Sequence, residues 1–174
     1  MKQNVSTQIV LALAILLSWS PGFAAQVGEP APTFSLPALA SNMENVALGD
    51  FKDRVIYLDF WASWCAPCRQ SLPLLNAMRG DFERDDFEVV AINLDTDPAL
   101  GRRFLKHYPV DYPVASDPQG KVAASYQLPN MPTAYIIDRT GKIAQVHNGF
   151  RPSDMPGIRS EVTTLIGGGR PHED

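Results

Sequence analysis

Apolar positions in the 174-residue sequence fall into blocks whose period changes along the chain. Val55 to Trp61 is apolar and β-rich apart from Asp59, which suits a central strand covered on both faces. Phe87 to Leu94 reads as a second buried strand. Between them, from Pro67 to about Glu83, Leu74, Leu75, Met78 and Phe82 recur near helical spacing. Pro73 inside that segment predicts a kink. Asp97-Pro98 has the form of an N-cap followed by proline at the first helical position. The helix it opens is expected to reach about His107 and bury Leu100 and Phe104, with Gly101 weakening it.

Further on, Tyr112 to Ala115 predicts a short strand, and Asp117-Pro118 leads into a short helix, Lys121 to Tyr126. Thr133 to Asp138 predicts a strand turned at Arg139 to Lys142 into a hairpin partner, Ile143 to His147. A last helix starts near Ser153, puts Ile158, Val162, Leu165 and Ile166 on one face, and ends at Gly167-Gly168-Gly169. Residues 26–54 carry Pro30, Pro32 and Pro37 and turn pairs at Ser41-Asn42 and Gly49-Asp50. They predict an extended arm and a loose hairpin, with Phe34, Leu36, Val46 and Leu48 inward. Alternating strands and helices that close on a hairpin and a helix describe an α/β fold, a mixed sheet with helices on both faces.

The N-terminus changes the picture of where the chain works. Lys2 and a polar stretch precede nine apolar residues, Ile9 to Leu17, which Pro21 and Gly22 interrupt. Gly22 and Ala24 stand at −3 and −1 for cleavage, so residues 1–24 are expected to be a secretory signal peptide. The run is short of the ~20 residues of a membrane span, and an uncleaved anchor is the alternative. No cysteine follows the run, so no lipid anchor is expected. The formal charge of −4 becomes −5 once Lys2 leaves with the leader. A mildly acidic chain without a basic run argues against a nucleic-acid partner. Residues 27–166 are expected to form one domain, followed by a structureless tail, 167–174.

Both cysteines of the chain lie in Trp64-Cys65-Ala66-Pro67-Cys68, between a predicted strand and a predicted helix. Backbone N–H groups and the helix dipole at that helix start favour a thiolate on Cys65, with Cys68 about one turn further in. A structural bridge over two intervening residues would restrain little of the unfolded chain. A zinc site needs a second ligand pair, and His107, His147 and His172 are scattered, so no metal is expected. Redox chemistry is the reading left by these spacings. Asp59 reads either as a strand-end acid pointing to water or as a buried acid whose pKa desolvation raises. Its apolar neighbours, Tyr57-Leu58 and Phe60-Trp61, favour the second.

Asp59-Phe60-Trp61-Ala62-Ser63-Trp64-Cys65-Ala66-Pro67-Cys68-Arg69 resembles the active-site strand and turn of the thioredoxin superfamily. Pro73 falls where that family kinks its helix, and Met131-Pro132-Thr133 resembles its cis-proline loop. With Ala31-Pro32-x-Phe34-x-Leu36 added, the sequence is most similar to exported TlpA-like thiol-disulfide reductases over roughly residues 27 to 166. The resemblance implies a thioredoxin-like three-layer sandwich whose segment from Phe87 to Tyr126 includes a TlpA-type insertion. It implies Cys65 as nucleophile, Cys68 as resolving thiol and Asp59 as the buried acid. Trp64, Pro67, Met131 and a cis Pro132 would then meet substrate, and Gly149-Phe150 could rim the site as readily as form an ordinary turn.

No cofactor is expected beyond a redox-active Cys65–Cys68 disulfide. The implied partners are disulfide-containing exported proteins and a membrane-embedded dithiol electron donor. Many relatives place a glutamate three residues after the second cysteine, whereas this chain has Ser71, which weakens a cytochrome-maturation role. Two rivals stay open: a peroxiredoxin-like peroxide reductase and a non-enzymatic copper-binding thiol chaperone. The first lacks a threonine shortly before a lone cysteine, and the second's relatives space their cysteines one residue wider and add a histidine.

Overall fold

A computed structural model describes residues 25–40 and 43–168. The expected signal peptide, the Ser41-Asn42 turn and residues 169–174 of the expected tail lie outside the described residues. Among the described residues the strands are β1 (Ser35–Ala40), β2 (Asn45–Ala47), β3 (Val55–Trp61), β4 (Phe87–Asn93), β5 (Val114–Ser116), β6 (Thr133–Ile137) and β7 (Ile143–Asn148). The helices are α1 (Cys68–Gly80), α2 (Pro98–His107), α3 (Lys121–Tyr126) and α4 (Met155–Gly168). The strands form one mixed sheet in the order β2-β1-β5-β4-β3-β6-β7. β3 lies parallel to β4 on one side and antiparallel to β6 on the other, so it is fully enclosed.

Side chains of a strand alternate between faces, and β3 uses both. Val55, Tyr57 and Trp61 pack with Leu72, Leu75 and Met78 of α1, Leu105 of α2, and Ile158 and Val162 of α4. Ile56, Leu58 and Phe60 join a second cluster with Phe34, Phe51 and Tyr126. This two-sided burial is why an almost uninterrupted apolar run makes a central strand. Asp59 falls on the α1–α4 face by the same alternation.

The expected cap at Asp97 holds, and Asp117 adds one that sequence reasoning did not assign. The Asp97 carboxylate accepts from the Ala99 N–H at 2.9 Å. That of Asp117 takes the N–H groups of Lys121, Val122 and Ala123 at 3.0, 2.9 and 3.0 Å. Three details differ from the expected pattern. In α1 the buried stripe is Cys68, Ser71, Leu72, Leu75, Met78 and Arg79, with Leu74 only half-buried, and the helix stops at Gly80 rather than near Glu83. In α2 Leu100 faces solvent, while Gly101 and Leu105 are buried. Gly167 and Gly168 form the last turn of α4 instead of ending it.

Candidate active site

The backbone leaves β3 at Trp61, turns through residues 62–67 and starts α1 at Cys68. Within the turn the Cys65 N–H donates to the Ala62 carbonyl at 3.0 Å. Cys65 and Cys68 are joined by a disulfide, with their Cα atoms 5.3 Å apart, so this is the oxidised state of the pair. The Cys68 N–H, one of the unsatisfied donors of the helix start, points at Cys65 Sγ from 3.3 Å. That contact and the helix dipole favour negative charge on Cys65 once the bridge opens. Cys65 retains 5% exposure and Cys68 none, which leaves Cys65 as the sulfur a partner can reach.

The turn is held from the neighbouring strand. Trp61 pairs with Asn93 across the parallel β3–β4 ladder, so the segment after β4 emerges beside the cysteine turn. There the buried Asp95 carboxylate accepts from the Ser63 N–H at 3.0 Å, the Ser63 hydroxyl at 2.8 Å and Asn93 Nδ2 at 2.8 Å. The Leu94 N–H donates to the Trp61 carbonyl at 2.9 Å. Sequence reasoning missed this group. Its signal was two polar residues, Asn93 and Asp95, at the C-terminal end of an apolar strand, where parallel sheets place their sites.

From the other side, Phe60 pairs with Thr133, which brings the loop before β6 to the same end of the sheet. The Met131–Pro132 peptide bond is cis. Pro132 is buried and its carbonyl accepts from the Gly149 N–H at 2.8 Å. Met131 and Phe150, both half-buried, pack against the cluster that contains both cysteines. Trp64 is 67% exposed, an unusual position for a large aromatic side chain, and Pro67 is half-buried. Ser71 is buried in α1 and its hydroxyl donates to the Cys68 carbonyl at 3.3 Å.

Asp59 is 2% exposed and its Oδ2 has no hydrogen-bond partner. Desolvation raises its pKa from the ordinary 3.8 to about 8. Its register neighbours are Ala91 on β4 and Ala134 on β6, so two methyl groups flank the carboxyl. Among the described residues, no group of three or more His, Cys, Asp or Glu side chains gathers to hold a metal ion.

A family model described as Redoxin matches residues 26–165. The thiol-disulfide oxidoreductase ResA of Bacillus thuringiensis subsp. konkukian (strain 97-27) is 31% identical over 130 residues, covering 75% of this chain and 74% of that protein. ResA of Bacillus subtilis (strain 168) is 30% identical over 128 residues, covering 74% and 70%. A crystal structure from Chlorobium tepidum, assigned as the thiol:disulfide interchange protein DsbE, is 40% identical. It superposes with a TM-score of 0.79 over 83% of this chain and 100% of that one. A Bacteroides thetaiotaomicron protein of 24% identity, TM-score 0.73, shares the fold over 82% of this chain and 91% of its own. A strand that delivers a bridged cysteine pair to a helix start is thus common ground with enzymes of one chemistry, and the chain belongs to the redoxin family as a TlpA-like thiol-disulfide oxidoreductase of the thioredoxin superfamily.

Proposed function

We propose that the chain is an exported reductase of protein disulfides and that its dithiol, Cys65 and Cys68, is the whole redox centre. In the reduced protein Cys65 attacks a partner's disulfide, forming a mixed disulfide and releasing one partner thiolate. Cys68 then gives its proton to the Asp59 carboxylate and attacks Cys65 Sγ. The Cys65–Cys68 bond forms, the second partner thiolate leaves, and two electrons have passed to the partner. An acid whose pKa lies near working pH suits that proton exchange.

The observation that carries this reading is the Cys68 N–H aimed at Cys65 Sγ, at the start of a helix whose deeper cysteine is sealed. Trp64, Pro67 and the Met131-Pro132 loop form the surface for a partner's extended segment, with the Met131 backbone free to pair like an added strand. Export rests on the N-terminal apolar run and its cleavage residues. Among the described residues no helix is long and apolar enough to cross a membrane. The reducing direction rests on the resemblance to TlpA-like reductases, and it requires a membrane-embedded dithiol donor to restore the reduced pair.

Trapping tests the exchange. Cys68→Ser should accumulate mixed disulfides between Cys65 and exported proteins in cells, resolved by added dithiol. A clean absence of such adducts, or peroxide turnover far above that of free thiol, sinks the reading. A redox titration of the purified pair then fixes the direction.

A further inference from the structure

A buried acid that cycles its proton in every turnover needs a path to solvent. The dithiol mouth is one path, but a partner covers it while the mixed disulfide exists. The sheet supplies another. Asp59 pairs with Ala134 across β3 and β6, and Ala134 pairs with His147 across β6 and β7. Directly paired residues share a face, so Asp59, Ala134 and His147 form a transverse row with neighbours roughly 5 Å apart at Cβ. β7 is the last strand of the sheet, so the row ends at its flank. Ala134 is the one residue between Asp59 and His147 in that row.

Tyr57 stands two residues before Asp59 on the same face of β3. Its ring stacks on His147 with centroids 6.3 Å apart and planes 28° apart. His147 Nε2 in turn meets Glu161 Oε2 at 2.8 Å. The side chains of His147 and Glu161 keep 22% and 35% exposure, and Glu161 lines a cleft of about 230 Å³ between β7 and α4. The Tyr57 hydroxyl is hydrogen-bonded to no group among the described residues. Burial raises its pKa first, and the charges of Asp59, Glu161 and Asp154 raise it further.

We propose that Tyr57, backed by the His147–Glu161 pair, forms the route by which the proton on Asp59 exchanges with solvent at the flank of the sheet. The route rests on Asp59 serving as proton acceptor for Cys68. When Asp59 gives up its proton, the Tyr57 oxygen accepts it. The hydroxyl's own proton passes through water to the His147–Glu161 pair stacked beside the ring, leaving Tyr57 neutral. The other titratable groups facing this row are Cys68 from α1, Tyr112 from the segment before β5, and Asp154 from the turn before α4. Tyr112 is committed to the Leu72 carbonyl at 3.4 Å. The nearby buried cation on α1, Arg79, is committed to Glu88. Tyr57, His147 and Glu161 are positioning residues in this account, acting on the dithiol only through Asp59.

The test is the pH profile of turnover with a cystine-bridged model peptide, from pH 5 to 10, for the full chain and for Tyr57→Phe, Glu161→Gln, Asp59→Asn and Tyr57→Phe/Asp59→Asn. Tyr57→Phe retains the ring and its packing, and urea unfolding checks the fold of each variant. Tyr57→Phe and Glu161→Gln should each lower kcat at least roughly 10-fold with KM unchanged, against the ~100-fold or more contributed by an intact proton-transfer group. In the Asp59→Asn background Tyr57→Phe should add no more than about twofold, since no proton remains to be carried. Wild-type kcat in either single variant, or the same loss with and without Asp59, overturns the route. If Asp59→Asn keeps an inflection near pH 8, the acid reading itself falls and the route falls with it. An unchanged profile in Tyr57→Phe alone removes the route and leaves Asp59's role intact.

Discussion

Asp95 grips Ser63 twice: its carboxylate takes both the backbone N–H and the hydroxyl of a residue 32 positions earlier in the chain. Ser63 lies two residues before Cys65, so this grip sets the path of the turn that presents the sulfur. Both Asp95 oxygens are used, the second also by Asn93 Nδ2. Asp95→Ala removes both oxygens and leaves the Ser63 N–H and Asn93 Nδ2 without this acceptor. The expected cost is about 1–3 kcal/mol of stability with a slower Cys65 reaction, measured by urea unfolding and by alkylation of the reduced protein. An Asp95→Ala protein with unchanged unfolding and alkylation rates means the turn stands without this anchor.

The same network fixes a glycine. A Cβ built on Gly101 of α2 would lie 2.7 Å from Asn93 Oδ1 and 2.9 Å from Asn93 Nδ2. Asn93 cannot retreat without releasing Asp95. Helix propensity alone would make Gly101→Ala stabilising by about 1 kcal/mol. Overpacking against a buried, hydrogen-bonded side chain costs about 1–3 kcal/mol, so the net change should be destabilising. A thermal melt that rises for Gly101→Ala would show that the close approach is not enforced.

Asp59 ties stability to pH, and the sign follows from its shift. Its folded pKa, about 8, lies above the ordinary 3.8, so across that window the folded state binds a proton that the unfolded state has lost. Stability on this account is full below about pH 4 and falls as pH rises through 8. Asp59→Asn removes the ionisable group and with it the slope. The variant's advantage over wild type should grow by about 1.4 kcal/mol per pH unit between about pH 4 and 8 and then level off. Denaturant unfolding of the oxidised proteins at pH 4, 6 and 8 measures it. Parallel stability curves would place the carboxyl in a more solvated setting than its burial indicates.

The elements most legible in the sequence were those fixed by local physics. β3 and β4 are apolar because both faces of each are covered, and Asp97 caps its helix from within its own segment. The cysteine turn was legible for the same reason, since a helix start needs no distant partner to orient its N–H groups. Asp95 was not, because its role exists only once β4 lies parallel to β3 and brings it beside Ser63. The row from Asp59 through Ala134 to His147 depends on two strand registers at once, which no single period encodes. Leu100 was misplaced because α2 turns a glycine toward Asn93, so its buried face is chosen by a neighbour and not by its largest apolar residue.

The α1 stripe gives a direct check of that lesson. Counting from Cys68, helical spacing selects Leu72, Leu75 and Met78, all fully buried, whereas Leu74 points partly to solvent. Polar members of the stripe, Ser71 and Arg79, conceal it from a count of apolar residues alone, and the second is buried through its ion pair with Glu88. Leu72 packs in the cluster that holds both cysteines, and its carbonyl accepts the Tyr112 hydroxyl. Leu72→Ala should therefore cost about 2–5 kcal/mol through lost transfer energy and the cavity left behind. Leu74→Ala, which vacates little buried volume, should cost under about 1.5 kcal/mol. Urea unfolding of the two variants decides it, and equal losses would mean that the helix is rotated from the face described.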